Sequence, residues 1–174
     1  YAFYGEGSES GSTIIGTQDS QQSIDVDTVT NFQIRVLIQE TSGTADVFEG
    51  ASWEYELNSS GTWVPVTTTS SVLQAVDSTS LTATDTTSRL TGGSGAFVTP
   101  DGWVEEGTGP YGDLSFGAGG HCEALLSAKI IAADVSNGDQ ILVRVTGTPT
   151  PDAWTEADIN VVKAFTGRRR SNVT

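Results

Sequence analysis

The sequence predicts an all-β protein: an antiparallel two-sheet β-sandwich, immunoglobulin-like or jelly-roll-like, with flexible termini. Three observations carry that expectation. Apolar residues recur at every second position over several runs, the period of a strand with one buried face. Ser and Thr fill 43 of the 174 positions and Gly another 20, a composition that suits short strands and turns and not a helical bundle. Asn/Gly and Ser/Gly clusters separate the apolar runs at the places where hairpins need turns. The length suits one domain with a sizeable core. Residues 1–162 are read as the sandwich, with an extended N-terminal strand, and 163–174 as a basic C-terminal tail.

The elements follow in order. Phe32, Ile34, Val36 and Ile38 form one strand face, with Gln33, Arg35 and Gln39 on the other, joined by Leu37. Ala51, Trp53, Tyr55 and Leu57 form a second apolar row, backed by Ser52, Glu54, Glu56 and Asn58. The loop Asn58-Ser59-Ser60-Gly61 returns this strand to Trp63–Val66. Ile141, Val143 and Val145 make a third row. The Asn137-Gly138 pair predicts a two-residue hairpin turn between an apolar run at 130–135 and Gln140–Val145. His121–Asp134 contains helix formers, but Cys122, Ala124, Leu126, Ala128, Ile130 and Ala132 alternate, so a strand is expected. Weaker strands are expected at 1–5, 12–16, 22–27, 71–76, 80–83, 87–91, 95–99, 103–106, 113–117 and 158–163, with a short helical turn within 151–157. Residues 107–120, with six glycines and a proline, read as a flexible excursion that orders on contact with a partner.

Charge excludes some functions. With 22 acidic and 8 basic residues the formal net charge is −14, which repels nucleic acid and anionic lipid. Apolar runs fall short of the ~18 residues that a membrane helix needs. The charge is divided: residues 1–162 hold 4 basic and 22 acidic groups, or −18, and the last twelve residues carry +4 through Lys163, Arg168, Arg169 and Arg170. A basic tail on an acidic body suits docking on that body, on a neighbouring copy or on another acidic partner. The chain opens at Tyr1 without an initiator Met or a leader, which suits a processed, secreted or assembled extracellular protein.

The chemistry-bearing residues are sparse. His121 and Cys122 are the only His and Cys, and adjacent strand residues point to opposite faces, so they do not form a nucleophile–base pair. Cys122 is expected in the core, and the single cysteine leaves no intrachain disulfide. His121 and Glu123 share a face about 6.5–7 Å apart, a spacing open to a metal with a third ligand, although an exposed polar face is the expectation. The acidic pairs Asp25/Asp27, Glu54/Glu56 and Glu105/Glu106 read as solvated strand faces that discourage edge pairing. Asp134-Val-Ser-Asn-Gly-Asp139 has a faint calcium-loop look that a hairpin explains better. No metal, cofactor or catalytic residue is assigned. Among the tryptophans, Trp53 is expected in the core and Trp63 half-buried. Trp103 and Tyr111 flank the glycine-rich loop and are the better candidates for stacking on a glycan. Asn58-Ser-Ser and Asn172-Val-Thr match the N-glycosylation pattern.

Several stretches resemble a class of tailed-bacteriophage structural proteins. They are the opening Tyr1-Ala-Phe-Tyr-Gly-Glu-Gly-Ser-Glu-Ser, the strand Asn31-Phe-Gln-Ile-Arg-Val-Leu-Ile-Gln-Glu-Thr-Ser-Gly-Thr, and the hairpin Glu54-Tyr-Glu-Leu-Asn-Ser-Ser-Gly-Thr-Trp-Val-Pro-Val. Arg89-Leu-Thr-Gly-Gly-Ser-Gly-Ala-Phe-Val and Ala132-Ala-Asp-Val-Ser-Asn-Gly-Asp-Gln-Ile-Leu-Val-Arg-Val fit as well, in the expected order over most of 1–162. The resemblance implies a non-enzymatic virion-surface component, a capsid decoration protein or a tail-associated module. Such a protein contacts the major capsid protein or neighbouring copies as a homo-oligomer. The partner-binding residues expected on this reading are Tyr1, Phe3, Trp103, Tyr111, Arg168, Arg169 and Arg170. A cell-surface adhesin or filament subunit exchanging the strand at Tyr1–Gly5, or a glycan-binding module, are the alternatives.

Overall fold

A computed structural model describes residues 1–82, 85–99, 113–164 and the backbone of 104–105. The described residues form twelve strands: β1 (Ala2–Gly5), β2 (Ile14–Ile15), β3 (Gln22–Asp25), β4 (Phe32–Gln39), β5 (Asp46–Leu57), β6 (Val64–Pro65), β7 (Leu73–Ala75), β8 (Val104–Glu105), β9 (Leu114–Phe116), β10 (His121–Ile130), β11 (Gln140–Thr148) and β12 (Ala157–Val162). The described residues contain no α-helix, only a short 3₁₀ turn at Ala132–Asp134. None of their helical segments is long and apolar enough to cross a membrane.

Two sheets pack face to face, as expected of a sandwich. Sheet A runs β2-β1-β4-β10-β7, with β8 also on β10. Sheet B runs β3-β12-β11-β5-β6, with β9 on the far end of β5. Most pairs are antiparallel, but β3 lies parallel to β12 and β8 parallel to β10, so the sheets are mixed.

The alternation read from the sequence builds the core. Phe3, Phe32, Ile34, Cys122, Ala124 and Leu126 from sheet A meet Trp53, Tyr55, Ile141, Val143, Ile159 and Val161 from sheet B. Trp53 is buried, as expected, and Trp63 is half-buried. The β5–β6 hairpin forms on Asn58–Gly61, with positive φ at Asn58, Ser59 and Gly61. Where β5 passes β11, the partners step from Thr146↔Ser52 to Thr148↔Glu49, leaving one extra residue on β5. Gly50 takes φ +59 in this bulge. The extra residue resets the parity, so Phe48 and Ala51 both face inward. Gly147 sits opposite, where a Cβ would lie 2.7 Å from the Phe48 ring and 2.9 Å from the Glu49 carbonyl.

Three expectations need correction. Asn137-Gly138 does not close a hairpin: β10 ends at Ile130 in sheet A, and the chain crosses through the 3₁₀ turn to β11 in sheet B. Asp139 N–H bonds to Ser136 O at 3.2 Å, and within this turn only Gly138 has positive φ, +88. That is the single left-handed position of a type II turn, whose twist does not demand a hairpin. The segments 80–82 and 87–91 and the stretch 151–156 carry neither strand nor helix, and 95–99 holds only an isolated bridge from Phe97 to His121. The described part of the glycine-rich excursion is no loose loop: Leu114 and Phe116 are buried in β9, and Gly117–Gly120 is a closed turn.

Candidate functional site

Of the sequence-predicted site residues, the structure describes Tyr1 and Phe3, which lie together. Tyr1 and Phe3, expected to reach a neighbour, are core residues, 8% and 0% exposed, with their rings edge-to-face at 5.7 Å. The strand that carries them lies between β2 and β4, and it is not a free terminus. The physical reason is alternation: Tyr1 and Phe3 lie on the side of β1 that faces sheet B. Trp103, Tyr111, Arg168, Arg169 and Arg170 lie outside the described residues, as do Asn172 and residues 107–112. The tail root is described: Lys163 N–H bonds to Asn137 Oδ1 at 3.0 Å and its Nζ to Val135 O at 3.0 Å. Ala164 N–H bonds to Asp27 Oδ2 at 2.6 Å.

The outer face of sheet A departs most from expectation. Gln33, Arg35, Glu123, Leu125 and Ser127 should face water; all are fully buried. Irregular stretches at 6–13, 77–82 and 85–95 lie over them. Arg35 Nη1 donates to Glu123 Oε2 at 2.8 Å and to Thr87 O at 2.7 Å. Its Nη2 donates to Glu9 Oε1 at 2.6 Å and to Glu9 O at 3.0 Å. The other Glu123 oxygen accepts the N–H groups of Arg89 and Leu90 at 2.7 and 2.8 Å. Arg89 in turn reaches Ser12 and Glu9 O and lies over the Tyr4 ring at 4.3 Å. Burial alone would raise the Glu9 pKa. The hydroxyl and N–H of Thr87 and the Arg35 guanidinium outweigh that and hold it below the usual carboxylate range.

These bonds account for the residues singled out for chemistry. His121 and Glu123 do share a face, but His121 Nδ1 meets Ser94 O at 2.7 Å, and its ring packs edge-on to Phe97 at 5.4 Å. Burial, then the Glu123 charge, pushes the Cys122 thiol far above its usual value, so it stays protonated. Asp139 caps the turn through Ser136 N–H at 2.7 Å and accepts Asn58 Nδ2 at 2.9 Å, which holds it below the usual range. No group of three His, Cys, Asp or Glu suited to a metal occurs among the described residues. Asn58 also accepts Gln140 N–H at 2.8 Å, so its amide is held by the hairpin that a glycan would disturb.

The accessible geometry lies at the open seam between the sheets, beside the Thr148 end of β11. Two adjoining hollows of about 370 and 380 Å³ open there, sharing Ile38, Gln39, Thr41, Phe48, Pro151 and Ala153. The first continues to Arg144 and Trp154. Arg144 crosses from Glu54 on the neighbouring strand, to which it donates at 2.9 and 3.1 Å. Its guanidinium stacks over Trp63 at 3.9 Å and Trp154 at 4.7 Å. Trp154 is fixed by Nε1–H to Val145 O at 3.2 Å. The second hollow is lined by Ile38, Phe48, Phe116 and Pro149, with exposed Val47 at its edge and Glu40, Asp46 and Asp152 around it. Val47 is one of two large apolar side chains exposed among the described residues, at 40%. Glu40 accepts the N–H groups of Gly119, Ser42 and Gly43, which hold its carboxyl below the usual range.

No protein-family model, curated protein sequence or solved structure matches this chain. The fold and this seam therefore define its class: a two-sheet β-sandwich with a clamped outer face and an open groove at one end. Sequence reasoning did not find the groove, because its residues come from β4, β5, β9 and the stretch after β11. The exposed Val47 and the Pro149/Pro151 pair, which cannot continue a strand, were the only local signals.

Proposed function

We propose that this chain is a non-enzymatic structural protein that works by contact, a virion-surface component of the capsid-decoration kind. A cell-surface adhesin or filament subunit is the same reading in another setting. One observation carries it. The ionisable groups best suited to chemistry, His121, Glu123, Arg35, Glu9 and Arg89, are bound to one another or to backbone, where they clamp irregular segments onto sheet A. Among the described residues, a seam of apolar side chains and carboxylates stays open on a strongly acidic body. The ordered resemblance over 1–162 to phage structural proteins supports the virion setting. Imaging purified particles with and without this protein tests it. Copies at symmetric positions on the particle surface are expected; their absence from the particle rejects the virion setting.

The Trp63–Arg144–Trp154 stack favours a second reading, glycan contact, because a half-buried indole at the edge of a hollow of mixed polarity suits a sugar face. A glycan array decides it. Binding lost on Trp154→Ala would support this reading, and silence with the unaltered protein would reject it.

A further inference from the structure

We propose that the groove over Phe48 and Phe116 receives the basic C-terminal segment of a second copy of this chain, so that copies join head to tail. The inference rests on the contact function above and names one partner surface for it. The groove is lined by apolar Ile38, Phe48, Phe116 and Pro149 and by the exposed Val47 at its edge, with Glu40, Asp46 and Asp152 around it and no basic residue in its lining. The segment that follows Ala164 reads Phe165-Thr-Gly-Arg168-Arg169-Arg170: one aromatic ring, a threonine and a glycine, then three guanidiniums. Phe165 suits the apolar floor. Arg168–Arg170 suit the exposed Asp46 and Asp152, since a carboxylate accepts a guanidinium through two parallel hydrogen bonds, while Glu40 is held by backbone N–H groups and adds only its charge.

Chain geometry decides between the same copy and another. The tail leaves beside Asn137 and Asp27, beyond the Gln140 end of β11. The groove sits at the other end, where Thr148 pairs with Glu49 and Asp46 with Phe116. The nine residues of β11 span about 27 Å. Arg170 is six residues beyond Ala164, a reach of at most about 21 Å. Arg168 reaches about 14 Å. The triad cannot arrive at its own groove, whereas a neighbour's groove can meet it. Donor end and acceptor end differ, so the contact is heterologous and grows into a ring or a filament.

Sedimentation of the full chain over a range of concentrations tests this. Mass growing with concentration is expected at low salt. It should be lost towards about 1 M salt, where the Debye length is about 3 Å. Reversing the tail (Arg168→Glu, Arg169→Glu, Arg170→Glu) should weaken association about tenfold, as three exposed ion pairs imply. Asp46→Lys with Asp152→Lys should do the same, and both residues are exposed, so the fold tolerates the change. Combining the two reversed sets should restore association. A synthetic peptide of residues 163–174 should shift the amide signals of Val47, Phe48 and Ala153. Association unaltered by either reversal, or a peptide footprint elsewhere, overturns the groove assignment and leaves the contact function to the particle images. A chain that stays monomeric while the peptide fills its groove overturns the second copy as occupant and points to another protein's basic segment.

Discussion

The outer faces of the two sheets start from the same alternation and end differently. On sheet B, Ser52, Glu54, Leu142, Arg144, Thr146 and Asn160 are half-exposed, and the Arg144–Glu54 pair stands in partial contact with water. On sheet A, the equivalent positions Gln33, Arg35, Glu123 and Ser127 are fully buried, and the Arg35–Glu123 pair has no exposed side-chain surface. The difference is the cover laid over them. A strand pattern says which residues share a face. It does not say whether another part of the chain will lie on that face. Once it does, the charges need partners inside, which Arg35 and Glu123 find in each other and in the cover, while Ser127 Oγ and Arg35 Nε are buried without a hydrogen bond among the described residues.

The comparison can be broken at several points. Trp53→Ala, in the shared core, should cost about 3–5 kcal/mol and lower the melting temperature by about 10 °C. Glu123→Ala should cost a similar amount, because it leaves the buried Arg35 with Glu9 as its one carboxylate and strands the N–H groups of Arg89 and Leu90. Hydrogen exchange separates the two: Glu123→Ala should expose residues 85–95 first, and Trp53→Ala should loosen both sheets. If Glu123→Ala costs no more than a surface change, the outer face of sheet A is not the clamp described.

Gly147→Ala should cost about 1–3 kcal/mol, because its methyl meets the Phe48 ring and the Glu49 carbonyl while the bulge leaves little room to give. Urea unfolding measures it. A neutral result would mean that the β5 bulge, and with it the groove floor, readily moves.

Acid should act on the clamp. The folded pKa of Glu9 lies below its ordinary 4.5, so the unfolded chain binds its proton more readily. Its contribution is therefore whole above pH 4.5 and is lost as pH falls through the folded value. Glu9→Gln should shrink the stability difference between neutral and acid pH while leaving part of it to other carboxylates. An unchanged pH profile would remove Glu9 from the account. The smallest effect is expected on sheet B, where Arg144→Ala should cost about 1 kcal/mol, since the pair and the two indole contacts are partly solvated. A cost as large as that of Glu123→Ala would erase the contrast between the faces.

Much of the fold was legible in the residues. The rows beginning at Phe32, Ala51, Cys122 and Ile141 form strands with the predicted inward faces, and the Asn58–Gly61 loop closes the predicted hairpin. The Asn137-Gly138 hairpin was not, because one positive-φ glycine serves a crossover as well as a hairpin. The site was scarcely legible. Tyr1 and Phe3 looked available because exposed aromatics and core aromatics have the same local sequence. The groove joins residues more than a hundred positions apart, from Ile38 to Ala153.

The sequence alone determined the sandwich, its inward rows and the split between an acidic body and a basic tail, since these depend on neighbours along the chain. Only the tertiary structure decided that Arg35 and Glu123 would be sealed beneath 6–13 and 85–95, and that a seam would stay open at the Thr148 end of β11. Burial and cavity are properties of surfaces brought together, and a surface that no segment happens to cover leaves no mark in local order.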